Sequence, residues 1–259
     1  MEELLRYEHV SISYNESPAV HDVSFELRAG EILGIVGESG CGKSSLLKAA
    51  MGLLGDDAIV CGSIRYKGID LADMPERERR KLNGPELGMI FQNAGSFFCP
   101  IRTVGAQLYE AMTEHGRLTK KNFRNLAAEL LTKLGFEDVE RILGSYPFEL
   151  SGGMQQRIGI AAAMLLNPSV LLADEPTAAL DVTVQKQVLE ELQLMRRTYG
   201  TAIVLVAHNI GVIGAMADRI LVMKDGRAVE YGQAQKILLN PQAEYTRSLL
   251  AAVPRLRRT

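Results

Sequence analysis

Residues 37–44 read Gly-Glu-Ser-Gly-Cys-Gly-Lys-Ser and follow an apolar run that begins at Ile32. The apolar run is typical of a short buried parallel strand, and apolar residues at helical spacing follow the glycines. Glycines let the backbone turn tightly enough for consecutive N–H groups to face one anion. The helix that follows adds its positive N-terminal end to the same place. This stretch therefore predicts a phosphate-binding loop between a strand and a helix.

The octapeptide satisfies every position of G-x-x-x-x-G-K-[ST], the P-loop pattern of nucleoside triphosphatases. In this interpretation Lys43 reaches the β- and γ-phosphates, and the hydroxyl of Ser44 binds Mg²⁺. A glycine-rich turn that binds nothing is the alternative, and the flanking strand and helix argue against it. The predicted nucleotide-binding residues of this segment are Gly37, Glu38, Ser39, Gly40, Cys41, Gly42, Lys43, Ser44 and Ser45.

The composition limits the class of protein. A chain of 259 residues is long enough for one large α/β domain with a subdomain. Its formal net charge of −2 offers no basic field, so no nucleic-acid partner is expected. The sequence has no apolar run of about 18 residues and no signal-peptide pattern, so we expect no membrane-spanning segment. Three scattered cysteines without a C-x-x-C pair favour a reducing, cytoplasmic environment.

The order of patterns along the chain predicts an α/β fold. Two alternating segments between Leu5 and Leu27 predict an antiparallel sheet ahead of the P-loop strand. From Thr103 to about Leu166 the apolar residues have helical spacing, and a buried strand follows at Val170. We therefore expect a P-loop α/β core with an antiparallel β subdomain and an inserted α-helical subdomain. The predicted boundaries within a single domain, 1–259, are 1–92 and 169–232 for the core, about 93–168 for the helical subdomain, and 233–259 for C-terminal helices.

Two carboxylates follow the apolar strand at 170–173 directly. The carboxyl ends of parallel strands are where doubly wound sheets place ligand-binding groups. Asp174 would then face the Mg²⁺ held by Ser44, and Glu175 could polarise a water molecule for in-line attack on the γ-phosphorus. A surface acidic pair is the alternative interpretation. The P-loop upstream favours the catalytic one.

Three further side chains stand at the ends of predicted strands. His208 could donate a hydrogen bond to the γ-phosphate, although a lone histidine is more often structural. Gln92 offers a neutral ligand for Mg²⁺ or for the attacking water. Tyr14 lies at the tip of the antiparallel sheet, where its ring could stack on a purine or simply complete a turn.

A second glycine motif, Leu-Ser-Gly-Gly-Met-Gln-Gln-Arg, occupies residues 150–157. Ser151 can cap the helix that follows, and the glycines expose backbone N–H groups at its positive end. This is a second anion site in the same chain. One nucleotide does not need two γ-phosphate sites within one chain, so we expect two chains to share them.

These motifs, in this order, make the sequence resemble the ATP-binding-cassette (ABC) ATPases over nearly its whole length. Glu175 stands at the family's catalytic-base position, His208 at its switch histidine, and Tyr14 where an aromatic ring stacks on adenine. The matched segments are 37–44 for Walker A, Gln92 for the Q-loop, 150–155 for the signature, 170–174 for Walker B and 179–181 for the D-loop.

The resemblance implies a RecA-like P-loop NTPase core that uses ATP and Mg²⁺, and a head-to-tail dimer. The catalytic residues it implies are Glu175, His208, Lys43 and Gln92. The metal ligands it implies are Ser44, Gln92 and Asp174. The residues that would act on ATP bound by the partner subunit are Ser151, Gly152, Gly153, Gln155 and Asp181.

Within the family, residues 37–44, 173–185 and 245–250 resemble the oligopeptide, dipeptide and nickel importer branch, and 146–149 is closest to its nickel or metal-chelate members. The branch implies an importer ATPase at the cytoplasmic face of the cell membrane. Its partners would be a homologous ATPase subunit, two integral-membrane permease subunits and an extracytoplasmic solute-binding protein. A soluble ABC ATPase of DNA repair or translation, and a nucleotide kinase, are the alternatives.

Three positions depart from the family pattern. Asn209 replaces the usual Asp after the switch histidine, and Phe148 stands where peptide-type members often carry His. Asn-Ala-Gly at 93–95 replaces the common Asp-Pro after Gln92. None of these changes removes a catalytic group, but the last lies in the loop that the resemblance places against the membrane subunit.

Overall fold

The P-loop strand follows an antiparallel hairpin. A computed structural model describes residues 2–178 and 180–253. Strands β1 (Glu3–Tyr14) and β2 (Ser17–Arg28) pair antiparallel, and β3 (Ile32–Gly37) leads through the P-loop into helix α1 (Lys43–Met51). Every residue of β3 is buried, as its apolar sequence predicts.

The antiparallel sheet gains two more strands after α1. β4 (Ala58–Tyr66) pairs antiparallel with β1, and β5 (Ile69–Asp70) pairs with β4, so the strand order is β2-β1-β4-β5. Helix α2 (Glu76–Leu82) is charged and has no buried residue. Strand β6 (Leu87–Ile90) then enters the second sheet. The predicted antiparallel sheet is confirmed, and β4 and β5 extend it to four strands.

Helices fill the chain between β6 and the next strand. They are α3 (Val104–Thr113), α4 (Lys120–Lys133), α5 (Val139–Gly144) and α6 (Gly152–Met164), with short 3₁₀ helices at Ala94–Phe97 and Pro147–Glu149. Each α-helix has a side-chain N-cap, from Thr103, Thr119, Asp138 and Ser151 respectively. We keep the boundaries of a helical subdomain, about 93–168, as a proposal.

The chain then returns to the second sheet. The remaining elements are β7 (Val170–Asp174), α7 (Val182–Tyr199), β8 (Ala202–Ala207), α8 (Ile210–Gly214), β9 (Arg219–Lys224), β10 (Arg227–Gln233), α9 (Ala234–Leu239) and α10 (Glu244–Ala251). The sheet order is β10-β9-β3-β8-β7-β6, parallel except for the antiparallel edge strand β10. Residues 254–259 of the predicted C-terminal segment lie outside the described residues. Within 2–178 and 180–253, no helix is both long and apolar enough to cross a membrane.

The parallel register brings four strand ends to one edge of the sheet. β8 lies between β3 and β7, with Val36 opposite Ala207 and Asp174 opposite Val206. All residues of β3, β7 and β8 are buried, with one hydrophobic cluster on each side of the sheet. The P-loop, Asp174 and the segments after β6 and β8 therefore start from the same edge.

A buried contact between an arginine and a glutamate joins helix α6 to helix α7. Arg157 Nε lies 2.5 Å from Glu191 Oε1, and both side chains are nearly inaccessible. The guanidinium also donates to the carbonyl oxygen of Leu134 and lies over the ring of Phe136. Burial raises the pKa of Glu191 to about 7, and the Arg157 charge opposes this shift only in part.

The raised pKa predicts a pH-dependent contribution to stability. The native state keeps the Glu191 proton up to about pH 7, whereas the unfolded chain releases it near the ordinary value of 4.5. The native state therefore binds more protons in this window, and its free energy of unfolding falls as pH rises. Between about pH 5.5 and 7.5 we expect wild type to lose roughly 1 to 2 kcal/mol relative to Glu191→Gln.

Chemical denaturation at several pH values measures this difference. The control is Glu190→Gln, which changes an exposed carboxylate on the same helix. A constant difference between wild type and Glu191→Gln across the range would contradict the raised pKa.

Candidate functional site

Close backbone packing fixes the shape of the P-loop between β3 and α1. Gly40 and Gly42 have φ of +80° and +90°, in the left-handed region that favours glycine. A Cβ on Gly42 would lie 2.5 Å from Val20 Cγ2 and 2.7 Å from the carbonyl oxygen of Ala19. Both neighbours belong to β2, so the antiparallel sheet buttresses the loop. Packing therefore requires glycine at position 42 independently of any bound anion.

Lys43 is buried and contacts the start of the P-loop. Its ammonium donates to the carbonyl oxygens of Gly37, at 2.8 Å, and Glu38, at 2.7 Å. These bonds hold a full positive charge against the loop backbone. Burial raises the pKa of the neighbouring Cys41 thiol, and the Lys43 charge opposes this only in part. The thiol therefore stays protonated at neutral pH.

The two predicted oxygen ligands from the P-loop and Walker B are in direct contact. The Ser44 hydroxyl donates to Asp174 Oδ1 at 2.8 Å. Burial raises the pKa of Asp174, and the hydrogen bond from Ser44 partly offsets the shift. This hydroxyl and carboxylate are oxygen donors of the kind that Mg²⁺ prefers, and the amide oxygen of Gln92 stays a predicted third ligand. Among the described residues, no cluster of three or more His, Cys, Asp or Glu side chains could hold a metal ion.

Glu175 is held by both of its carboxylate oxygens. Gln92 Nε2 donates to Oε2 at 2.9 Å, and His208 Nε2 lies 2.6 Å from Oε1. Glu175 is 8% exposed, and its φ of +47° is unusual for a residue with a side chain. Its backbone N–H donates to the carbonyl oxygen of Val206 in β8, which helps to hold this conformation. The structure therefore brings together three of the predicted catalytic residues.

The residue after the switch histidine begins a helix. Asn209 is the N-cap of α8, and its Oδ1 accepts a hydrogen bond from the backbone N–H of Gly211 at 2.7 Å. An aspartate could accept the same bond. The departure from the family pattern at this position therefore leaves the helix start intact.

Tyr14 lies at the tip of the antiparallel sheet, next to helix α1. It is the last residue of β1, and its hydroxyl donates to Ser45 Oγ at 2.9 Å. This bond places the half-buried ring beside the first turn of α1. Stacking on a purine stays a prediction that the position permits.

The signature residues form a separate site at the start of α6. Ser151 Oγ accepts from the backbone N–H of Met154 at 3.3 Å, and both Ser151 and Gly152 are exposed. Gln155 Nε2 donates to the carbonyl oxygens of Pro147 and Leu150 and so fastens the preceding turn. Across the described residues, no hydrogen bond or ion pair joins this segment to the P-loop of the same chain.

The D-loop residue Asp181 begins the neighbouring helix. Its Oδ1 accepts from the backbone N–H groups of Thr183 and Val184 at 3.0 Å each. A Cβ on Gly153 would lie 3.0 Å from Val184 Cγ1, so the first turns of α6 and α7 pack closely. Ala179 of the predicted D-loop lies outside the described residues.

One contact to the P-loop was not predicted. The backbone N–H of Glu38 donates to the hydroxyl of Tyr245 in α10 at 3.1 Å. Residues 245–250 resemble the oligopeptide, dipeptide and nickel importer branch, but that resemblance did not predict what they contact. Nothing in their spacing indicates which part of the fold they touch.

Comparison with known proteins identifies the family. Residues 20–178, more than half of the chain, match the model of the ABC transporter family. The chain belongs to the ABC transporter family. Its P-loop site binds ATP with Mg²⁺, and the predicted ATPase activity and P-loop α/β fold are confirmed. The roles of the individual site residues stay predictions.

Relatives of this ABC transporter protein place it in the predicted branch. It is 42% identical to the oligopeptide transport ATP-binding protein OppD of Salmonella typhimurium, over 92% of this chain and 71% of OppD. It is 38% identical to the metal-staphylopine import system ATP-binding protein CntD of Staphylococcus aureus, over 96% of this chain and 92% of CntD. The dimeric post-hydrolysis structure of the ATP-binding cassette MJ0796, bound to ADP and Pi, has a TM-score of 0.78 and 28% identity over 89% of this chain and 99% of that one.

Glu175→Gln tests the geometry of this ABC transporter site. The amide keeps the shape of the side chain but cannot take a proton from water, so ATP hydrolysis should fall at least about 100-fold. ATP affinity should change by less than about threefold, because Glu175 contacts Gln92 and His208 rather than the P-loop. Phosphate release and titration with a fluorescent ATP analogue measure the two quantities. Near-normal hydrolysis would exclude Glu175 as the base, and Glu190→Gln on α7 is the matched control.

Proposed function

We propose that the chain is the ATP-hydrolysing subunit of an importer that takes up peptides or nickel and other metal chelates. The observation that carries the catalytic part is the grouping of Glu175, Gln92 and His208 beside the Ser44–Asp174 pair. The transport part is supported by relatives such as OppD and CntD, which are named for oligopeptide transport and metal-staphylopine import.

Each residue of the site has its own role in ATP hydrolysis. Lys43 and the P-loop N–H groups bind the β- and γ-phosphates, and Glu175 accepts a proton from the attacking water. His208 and Gln92 orient the Glu175 carboxylate by holding one oxygen each. The residues that would hold Mg²⁺ are Ser44, Asp174 and Gln92. When bound, the ion offsets negative charge on the phosphates.

The site is completed by a second ATPase subunit in this proposal. Ser151, Gly152 and Gly153 stand at the positive end of α6 without a contact to their own P-loop, and Asp181 begins the helix packed beside it. Gln155 holds the turn that precedes them. A head-to-tail dimer would bring this surface to ATP bound by the partner subunit, and the structure of MJ0796 offers a dimeric precedent.

The remaining partners follow from the same proposal. Two integral-membrane permease subunits would sit above the ATPase pair, and an extracytoplasmic solute-binding protein would deliver the solute. The ATPase would then be peripheral, on the cytoplasmic face of the cell membrane. Solute choice would be made mainly by the permease and the binding protein, since this chain contributes ATP hydrolysis.

A soluble ABC ATPase of DNA repair or translation is the weaker candidate. The named relatives are transport and import proteins, and the formal net charge of −2 gives no overall positive field that would attract nucleic acid. A nucleotide kinase would have no use for the exposed Ser151–Gly152 helix start or for His208.

Ser151→Arg tests the shared site. A long cation at the helix start should block closure against the partner while leaving the chain's own P-loop intact. In a Glu175→Gln background, ATP should promote dimerisation, and adding Ser151→Arg should abolish it with ATP affinity unchanged. Size-exclusion chromatography with light scattering reads the outcome.

Thr119→Arg is the matched control for this experiment. Thr119 is also an exposed N-cap, at the start of α4, and its Oγ1 accepts from the backbone N–H of Asn122 at 3.2 Å. This variant should dimerise normally. If Ser151→Arg dimerised as well, the site would not be shared in the proposed way.

Co-purification tests the transport role itself. The tagged chain, expressed with the membrane permeases of a peptide or metal-chelate importer from the same genome, should be recovered with them from detergent extracts. The complex should hydrolyse ATP faster when the loaded solute-binding protein is added. A chain that never associates with those permeases would favour the non-transport alternative.

A further inference from the structure

The run at 245–250 makes a contact that ATP hydrolysis, as described above, does not use. Tyr245 lies 207 positions after Glu38, yet its hydroxyl accepts the backbone N–H of Glu38 at 3.1 Å. Glu38 is the second residue of the P-loop and follows the last residue of β3. A side chain from the last helix in the described chain therefore reaches the segment that binds the nucleotide.

Helix α10 is held firmly enough to fix this hydroxyl. The carboxylate of Glu230 in β10 accepts the backbone N–H groups of Gln242, at 2.9 Å, and Ala243, at 3.1 Å, just before the helix begins. Burial opposes ionisation of Glu230, but these hydrogen bonds, with the Thr246 side chain and the Arg247 charge, hold its pKa below the ordinary value. Thr246 is fully buried, and Leu250 packs against the hydrophobic core.

The ring of Tyr245 is also held by a cation. Lys224 Nζ lies 5.2 Å from the ring centroid, and Lys224 is the last residue of β9. β9 pairs with β3 in parallel register, with Met223 opposite Gly37. The ring therefore stands beside the strand ends from which the P-loop starts.

The backbone N–H and the backbone carbonyl oxygen of Glu38 are hydrogen-bonded to two different side chains. Its N–H donates to Tyr245, and its carbonyl oxygen accepts the Lys43 ammonium at 2.7 Å. Rotation of the peptide before Glu38 would break the first bond and would disturb the Gly37 carbonyl oxygen, which is the other acceptor of Lys43. The Tyr245 hydroxyl and the Lys43 ammonium are thus linked through one residue of the loop.

We propose that Tyr245 is a positioning residue of the ATP site, whose hydroxyl fixes the start of the P-loop and, through Glu38, the ammonium of Lys43. Its effect falls on nucleotide affinity, because Glu175, Gln92 and His208 lie on other strand ends and do not contact it. The inference rests on the ATP-binding part of the proposed function.

Tyr245→Phe is the decisive variant, since it removes the hydroxyl and keeps the ring. One neutral hydrogen bond lost from the loop should raise the Kd for ATP, and the KM, by roughly 3- to 10-fold. The kcat should stay within about twofold of wild type. Isothermal titration with ATP and Mg²⁺, and steady-state phosphate release, measure these values.

Tyr231→Phe is the control. The Tyr231 hydroxyl accepts the backbone N–H of Glu26 at 3.1 Å, as Tyr245 does from Glu38, and it also donates to the carbonyl oxygen of Glu26 at 3.2 Å. This variant should leave the Kd and the KM unchanged. Without nucleotide, the unfolding temperature should fall in both variants and at least as far in Tyr231→Phe, which loses two hydrogen bonds. Stabilisation by ATP should nevertheless be reduced only in Tyr245→Phe.

The results separate this inference from the proposed function. A Kd within twofold of wild type in Tyr245→Phe, or an equal rise in Tyr231→Phe, would overturn the positioning role. A wild-type chain that binds ATP but does not hydrolyse it would count against the proposed function, and the Kd values would still decide the role of Tyr245.

Discussion

The hydrogen bond between Ser44 and Asp174 joins the first turn of α1 to the end of β7, at the edge of the sheet where the predicted catalytic residues lie. Neighbouring strands lie about 4.8 Å apart, so β3 and β7, on either side of β8, are about 10 Å apart. The first turn of α1 spans this gap and brings the Ser44 hydroxyl within 2.8 Å of the Asp174 carboxylate. The parallel register then carries the segments after β6 and β8 to the same place. The site is therefore a consequence of strand order.

Glu175 is the predicted catalytic base at this edge of the sheet. A buried carboxylate is costly unless its oxygens have partners, and here Gln92 and His208 provide one each. Both partners stand in segments that follow different strands, so their positions depend on the whole sheet. The backbone of Glu175 is held in a positive φ by its bond to Val206. Such strain is typical of residues whose side chains must point in one direction.

The sequence predicted the site best at positions where a residue able to bind or react with a ligand stands at the end of a strand. Gly42, Ser44, Asp174 and His208 could be placed because a P-loop pattern and apolar strands have strict local requirements. Helix α5 lies within the segment that was expected to be helical, but its own bounds could not be predicted, because six residues are too few for a helical period. The Tyr245 contact depends on how α10 docks, which no local pattern encodes. The roles of the signature residues depend on a second subunit and stay predictions.

The distribution of thiols has a practical consequence. A thiolate reacts far faster than a thiol. A buried cysteine with a raised pKa is therefore protected from modification by its low accessibility and by its low thiolate fraction. Cys41 is such a residue, enclosed in the P-loop beside Lys43. Cys61, on β4, is exposed, and Cys99 is half-buried. A maleimide fluorophore attached at Cys61 in a Cys99→Ser background would report from the antiparallel sheet and leave the nucleotide loop unmodified.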